Sequence, residues 1–539
     1  AGDEDHRISI DVWVDANNPA IELSVKSMIP IEAKATLEIW RTKRRIIDKV
    51  NEIHSAYGLN GADGPDVYVE KDTILSIDQK AILWAHRNER SIWQDNLKLQ
   101  ELGEAILTEK DPLLKRTFGC MMRSAELKKM DDTMFETQTP TTSFSLSAIV
   151  FTSQAETLDE WTNQIKDLAS DMQSQSRTSR LIDHKKWWNS FWNRSYINIT
   201  TQDETEADQV FTVSQGYALQ RYMIACSGRG NSAIKFNGSI FTVDTEFIGG
   251  KFKGLDADFR QWGGPYWFQN TRLPYWSMLE SGDFELMQPF FRMYLDALPN
   301  RKLATKTYYN HQGAFYPETM YFWGTYNDAN YGRNRTELPL GLTENKYIRY
   351  YWQGGLEISL LMLDYYSFTQ SDSFAQDTLM PLVSEILTFF DQHWKRGNDG
   401  KILFSPAMSL ETFHTAVDPL PEIVGIRIIA EKMLALPHSF TTEKQRNQWE
   451  KLINDLPDLP MREVEGKTVL SPAVEYSDKA NSENPELYAV FPYRKFGVGK
   501  PDIEIARNTY DIRKHKENGG WQQNSIQAAY LGLSDEAKR

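Results

Sequence analysis

Cysteine is scarce: Cys120 and Cys226 are the only two among 539 residues. A disulfide-stapled scaffold is thereby excluded. Each falls in an apolar run and reads as a buried free thiol, with one bridge between them the alternative. Long apolar runs are missing too, since none approaches the roughly 18 residues that a membrane-spanning helix needs. Nor does a basic face stand out. Sixty Lys and Arg stand against 74 Asp and Glu, a formal charge of −14. Nucleic acid is therefore not an expected partner, because its phosphates need a basic face. The spacings of a metal cage, a phosphate loop and a dinucleotide fingerprint are all absent, so no metal or cofactor is expected. The opening "AGDEDHR" has no signal-peptide core. "ISIDVWV" enters as if within a sheet and the last residues stop just after a helical pattern, so a longer parent protein is expected.

Aromatics, by contrast, are abundant: 12% of the chain, with 16 Trp and 24 Tyr. Two clusters, "QWGGPYWFQNTRLPYW" (261–276) and "YPETMYFWGTY" (316–326), lie in stretches broken by Gly and Pro rather than in periodic ones. A ring on such a loop offers flat apolar area with polar atoms at its edge, which suits a sugar; inward packing of the same ring is the equal alternative.

Two periodicities divide the chain. Up to about residue 150, "DVWVDA", "AIELSVKS", "ATLEIWR" and "SFSLSAIVF" alternate apolar and polar positions, the pattern of antiparallel strands. "AETLDEWTNQIKDLASDMQSQSR" then reads as an exposed connecting helix. Beyond about residue 200 the spacing is helical; Leu286, Phe290, Met293 and Ala297, for example, share one face. Long irregular loops separate these helices, and loops of that length in a compact domain carry function. Many helices joined alternately by short and long loops fit a toroid of helix pairs.

Five segments carry a resemblance. In order they are "HKKWWNSFWNRSYINI" (184–199), "QGYALQRYMIACSGRGNSAIKFNGSIF" (215–241), "YWFQNTRLPYW" (266–276), "YWQGGLEISLLMLDYYSFTQSDSF" (351–374) and "DGKILFSPAMSLE" (399–411). Together they resemble glycoside hydrolase family 95, the α-L-fucosidase family. The resemblance implies a β-sandwich over residues 1–153, a helical linker over 154–199 and an (α/α)6 barrel over 200–539. Two positions depart from the family: Phe268 replaces the first Asn of an Asn-x-Asn motif, and Leu410 replaces the Pro before the acid. The chain reads as a distant cousin whose sugar need not be fucose. An inverting exo-glycosidase acting on plant or host oligo- or polysaccharide, in the periplasm or outside the cell, is what the resemblance implies.

Glycoside hydrolysis needs a protonated acid at the leaving oxygen and a group that activates water. By resemblance the acid is Glu411. Locally, the Ser405-Pro406 break and small neighbours would present its carboxyl on a rim loop, with Phe413 to desolvate it and raise its pKa. A solvated acid at a helix start is the competing reading. Asn270 matches the family's water-activating Asn, although a helix cap before Pro274 would also favour Asn. An amide is not basic, so a carboxylate must drive it. The family's acid falls around "HKENGGWQQN", where simple spacing puts Asn518 on it and Glu517 next to it; Glu517 is expected, with Asp511, Glu486 and Glu318 as alternatives. Further expected sugar contacts are Asn237, Trp262, Trp267, Arg272, Glu318, Trp352, His414 and Glu486. Arg272 would suit a carboxylated or sulfated sugar. Three rival functions share such a fold: a polysaccharide lyase, a phosphorylase of the family 65 type, and a glycan-binding protein without turnover. Fold alone does not choose among them.

Overall fold

A computed structural model describes residues 6–48, 52, 64–235, 254–255, 257–260 and 262–539. Three of the four alternating segments lie in a six-stranded antiparallel sheet of β1 (Ile8–Val14), β2 (Ala20–Ile31), β3 (Thr73–Asp78), β4 (Ala81–Arg87), β5 (Arg116–Arg123) and β6 (Thr141–Gln154), in the order β1-β2-β6-β5-β4-β3; the fourth, "ATLEIWR", has only Ala35 and Thr36 in a strand. Because side chains alternate, each strand offers one set of apolar residues to each face. On one face Ile82, Met122, Phe144 and Leu146 meet Leu127 and Phe135 from a small second sheet (Lys34–Thr36, Met134–Glu136, Lys128–Lys129). That makes the N-terminal half a sandwich.

The other face carries Ala81, Leu83, Ala85, Met121 and Ile149, and it is covered by a helix, α1 (Leu158–Gln173). Trp161, Ile165, Ala169 and Met172 recur at helical spacing and are buried against the sheet. This corrects the expectation of an exposed connector: α1 has a polar outer face and a docked inner one. Gly119 of β5 is part of that docking, since a Cβ there would lie 2.7 Å from the Trp161 ring. The following helix, α2 (Arg177–Arg194), leads into the helical half.

There the main elements are α3 (Ala207–Ser227), α4 (Gln288–Asp296), α5 (Leu298–Tyr309), α6 (Gln353–Thr369), α7 (Met380–His393), α8 (Leu420–Leu434), α9 (Glu443–Asp455), α10 (Ile503–Ile512) and α11 (Asn524–Tyr530). Leu286, Phe290, Met293 and Ala297 are all buried, as their spacing predicts. In α3 the expectation fails in part, for Phe211, Val213 and Leu219 are exposed. α6 is central: every residue from Gln353 to Tyr366 is buried, so this helix has no polar outer face and carries Glu357 into the interior. Both cysteines are free, but neither is fully buried; Cys120 is half-buried and Cys226 exposed.

The halves are joined by a polar lock that the sequence pattern does not announce. Asn96, on a short helix (Trp93–Leu99) between β4 and β5, is buried and donates to the Tyr326 carbonyl at 3.0 Å and to Asp328 at 2.6 Å. Its side-chain oxygen accepts from Trp323 Nε1 at 3.2 Å and from the Thr325 hydroxyl. Part of the aromatic loop 316–326 therefore packs against the N-terminal half.

Candidate active site

Glu411 lies at the tip of a short hairpin. β9 (Ala407–Ser409) pairs with β10 (Phe413–Val417), and β10 pairs in turn with β11 (Glu475–Tyr476). A helix start is thus not the setting, and the helix-dipole reading of this acid falls away. Leu410, just before it, has φ 53° with a buried side chain, a left-handed conformation that costs a non-glycine residue about 1–3 kcal/mol. Phe413 packs its ring on Tyr476 at 4.9 Å. The Glu411 carboxyl is half-buried and accepts from Asn481 Nδ2 at 2.8 Å. Burial lifts its pKa well above the ordinary value; the nearby carboxylates of Glu318 and Glu483 lift it further, and only the Asn481 bond opposes them.

Those two neighbours are fixed by one short segment. Phe268 N–H donates to the Glu318 carbonyl at 2.7 Å, and Gln269 N–H reaches Glu318 Oε1 at 3.3 Å. β7 (Tyr266–Trp267) pairs with β8 (Thr319–Met320), which sets this register. Glu318 is fully buried, its other oxygen bonded by the Thr319 hydroxyl, and burial pushes its pKa up to about 7. The Gln269 side chain donates to Glu483 Oε2 at 2.7 Å. Arg272, one helical turn on, bonds Glu357 through Nη1 and reaches Glu483 Oε1 at 3.4 Å through Nη2. Tyr488 completes the set, donating to Glu483 Oε1 at 2.9 Å.

Glu483 and Glu411 thus share a centre and differ in partners. Burial lifts the Glu483 pKa as well, but Arg272, Tyr488 and Lys479 all pull it down. Glu411 has one neutral amide. Glu357 is lifted to about 7 by burial, with Arg272 opposing.

Asn270 sits in the middle of the segment that fixes both neighbours. It is half-buried, and its side chain makes no hydrogen bond to another described residue. The other expected residues are placed as follows. Glu517 is exposed on the loop after α10, where its carbonyl, not its carboxylate, accepts from Asn524 at 2.6 Å. The carboxylate expected from that loop is thus not brought to the centre, because the chain there turns its acid to solvent. Asp511 is exposed on α10. Glu486 is half-buried on the 3-10 turn Pro485–Ala489, its pKa lifted by burial. Arg272 is fully buried and engaged with Glu357 and Glu483, which corrects the reading of it as a contact for an anionic sugar.

Trp352 is likewise a packing residue. It is 1% exposed, with rings of Tyr309, Phe315, Phe389, His393 and Trp394 all within 6 Å of it. Trp262 is 43% exposed and has φ 55°. Trp267 is half-buried, with Lys235 Nζ 5.9 Å from its ring centre. His414 is half-buried against Tyr347, ring centres 4.4 Å apart, and its Nε2 has no partner. Asn237 lies outside the described residues.

Sequence reasoning missed Glu483, Glu357 and Asn481. Glu486, expected as a sugar contact, lies three residues from Glu483. Among the described residues no group of three or more His, Cys, Asp or Glu could hold a metal, and no helix is long and apolar enough to cross a membrane.

Comparison with known families supplies the class of reaction. Residues 255–538 match the glycosyl hydrolase family 95 catalytic domain. The chain belongs to that family. This family 95 member is a glycosidase, and its N-terminal residues 1–197 match a domain of unknown function, DUF5703. Among solved structures, a putative kojibiose phosphorylase from human microbiome is similar over 99% of this chain and 67% of its own length. With a TM-score of 0.61 and 11% identity, it shares the fold. No curated protein matches the family 95 chain.

Proposed function

We propose that this glycosidase is an inverting, exo-acting hydrolase of a plant or host glycan, working in the periplasm or outside the cell. Glu411 is its general acid and Asn270 positions the attacking water. Glu483, in place of Glu517, is the carboxylate that receives the water's proton. The observation that carries this reading is the contrast in partners. Glu411 is lifted by burial and by two carboxylates with a single neutral amide against them, whereas Glu483 is held by a guanidinium, a phenol and an amide. An acid catalyst must keep its proton near neutral pH and a base must lose its own.

The step balances simply. As the bond from the anomeric carbon to the leaving oxygen breaks, the Glu411 proton passes to that oxygen. Water attacks the same carbon from the opposite face and gives a proton to Glu483. Trp262, Trp267, His414 and Glu486 are proposed to surround the sugar, while Glu318, fully buried, acts only through its charge on Glu411.

The test is the anomeric configuration of the first-formed sugar, followed by proton NMR on a hydrolysed glycan. Inversion is expected, in phosphate-free buffer and without an unsaturated product absorbing in the ultraviolet. Retention of configuration, a requirement for phosphate, or appearance of that absorbance would each overturn the reading.

A further inference from the structure

A cavity of about 570 Å3 opens at the seam between the two halves, away from the Glu411 centre. That volume is within the roughly 300–1,000 Å3 of small-molecule sites. Trp93 and Glu109 line it from the N-terminal half; Tyr266, Asp296, Phe322 and Trp323 line it from the helical half. None of Glu411, Glu318 and Glu483 is part of its wall. The β7–β8 ladder links the two places, since Tyr266 pairs with Met320 while the adjoining Thr319 bonds Glu318.

Three features of the wall suit a ligand rich in hydroxyls. The first is aromatic surface: Phe322 and Tyr266 are half-buried rings, and Trp323 is held rigidly by stacking on Tyr321 at 4.4 Å and by its bond to Asn96. The second is an orphan donor. Trp93 is 1% exposed, yet its indole Nε1 is buried with no hydrogen-bond partner, and such a donor without an acceptor costs about 1–3 kcal/mol. The third is a pair of acceptors. Asn300 fixes Glu109 by donating to Oε2 at 2.7 Å, which leaves Oε1 to accept from a ligand, and Asp296 stands exposed on α4. Burial lifts both carboxyls. Charges of both signs are mixed on the wall, Lys110, Arg116 and Arg292 beside Glu109 and Asp296, so it presents no strong single-sign field to an ionic ligand.

We propose that this seam cavity is a second carbohydrate-binding site that takes a neutral oligosaccharide. Phe322 offers its face to a sugar ring, Glu109 and Asp296 accept from hydroxyls, and Trp93 Nε1 donates. The site holds substrate on the enzyme without reacting with it. It does not rest on the roles given to Glu411 and Glu483, because binding is read without turnover.

The probe is a panel of short neutral oligosaccharides from xylan, mannan, arabinan and galactan, titrated calorimetrically against the Glu411→Gln protein. At least one member should bind, and the double change Glu109→Gln with Asp296→Asn should weaken that binding at least about tenfold. Ser232→Trp, an exposed change at the cavity wall, should do the same. In the otherwise wild-type enzyme Ser232→Trp should leave hydrolysis of a small aryl glycoside unchanged. The proposal is overturned if no panel member binds or if binding survives both changes. It is also overturned if Ser232→Trp abolishes hydrolysis of the aryl glycoside, which would make the cavity part of the reaction centre.

Discussion

The hairpin that carries Glu411 and the loop that carries Glu483 do opposite things with a carboxylate. The first brings an acid into a half-buried place and gives it one neutral partner, Asn481. The second buries an acid more deeply but surrounds it with Gln269, Tyr488 and Arg272. Burial penalises the charged form in both, and a guanidinium compensates at only one. The lesson is that depth alone does not set how firmly a carboxyl holds its proton; the charge and number of its partners do.

The comparison can be broken from either side. The largest effect is expected from Glu411→Gln, which removes the transferable proton while keeping the shape. Steady-state kcat on an unactivated glycoside should fall by about 10²–10⁴-fold. Next is Arg272→Met, which leaves Glu357 and Glu483 buried without their cation. Removing one partner of a buried pair costs about 3–5 kcal/mol, and the loss should appear as a lower urea midpoint.

Two changes should then move the alkaline limb of the pH–rate profile in opposite directions. Asn481→Leu removes the one bond that favours ionised Glu411, so the limb should move to higher pH. Glu318→Gln removes a neighbouring negative charge that raises Glu411, so the limb should move to lower pH. Movement of both in the same direction would contradict the partner argument.

The smallest effect is on stability. The pKa of Glu318 is raised in the folded protein from an ordinary 4.5 to about 7, so the folded state binds more protons than the unfolded one between those values. The stability this acid contributes is therefore complete below about 4.5 and is lost as pH rises towards about 7. Thermal melting should fall across that window, and Glu318→Gln should flatten the fall.

Much of this architecture was legible in residue spacing. Period-two alternation marks three of the six strands of the N-terminal sheet, β1, β2 and β6, and the Leu286–Phe290–Met293–Ala297 face is buried where helical spacing puts it. That Glu411 stands on a turn was legible as well, because a Ser-Pro break ahead of an isolated acid is a local feature. Its partners were not. Glu483 is 72 residues away in sequence and is bonded by Gln269, Arg272 and Tyr488, a long-range arrangement that no local spacing announces. Glu517 failed for the same reason, since alignment by spacing does not reveal which way a loop faces. Arg272 and Trp352, expected as ligand contacts, are instead a buried counter-ion and a packed ring.

The most direct test compares two leaving groups on two variants. Fluoride departs from an anomeric carbon without needing a proton, whereas a sugar oxygen needs one. On the glycosyl fluoride of the preferred sugar, the Glu411→Gln protein should keep most of its hydrolysis while losing that of the oxygen-linked glycoside. The Glu483→Gln protein should lose both. Loss of fluoride hydrolysis in Glu411→Gln, or its survival in Glu483→Gln, would contradict the assignment of acid and base.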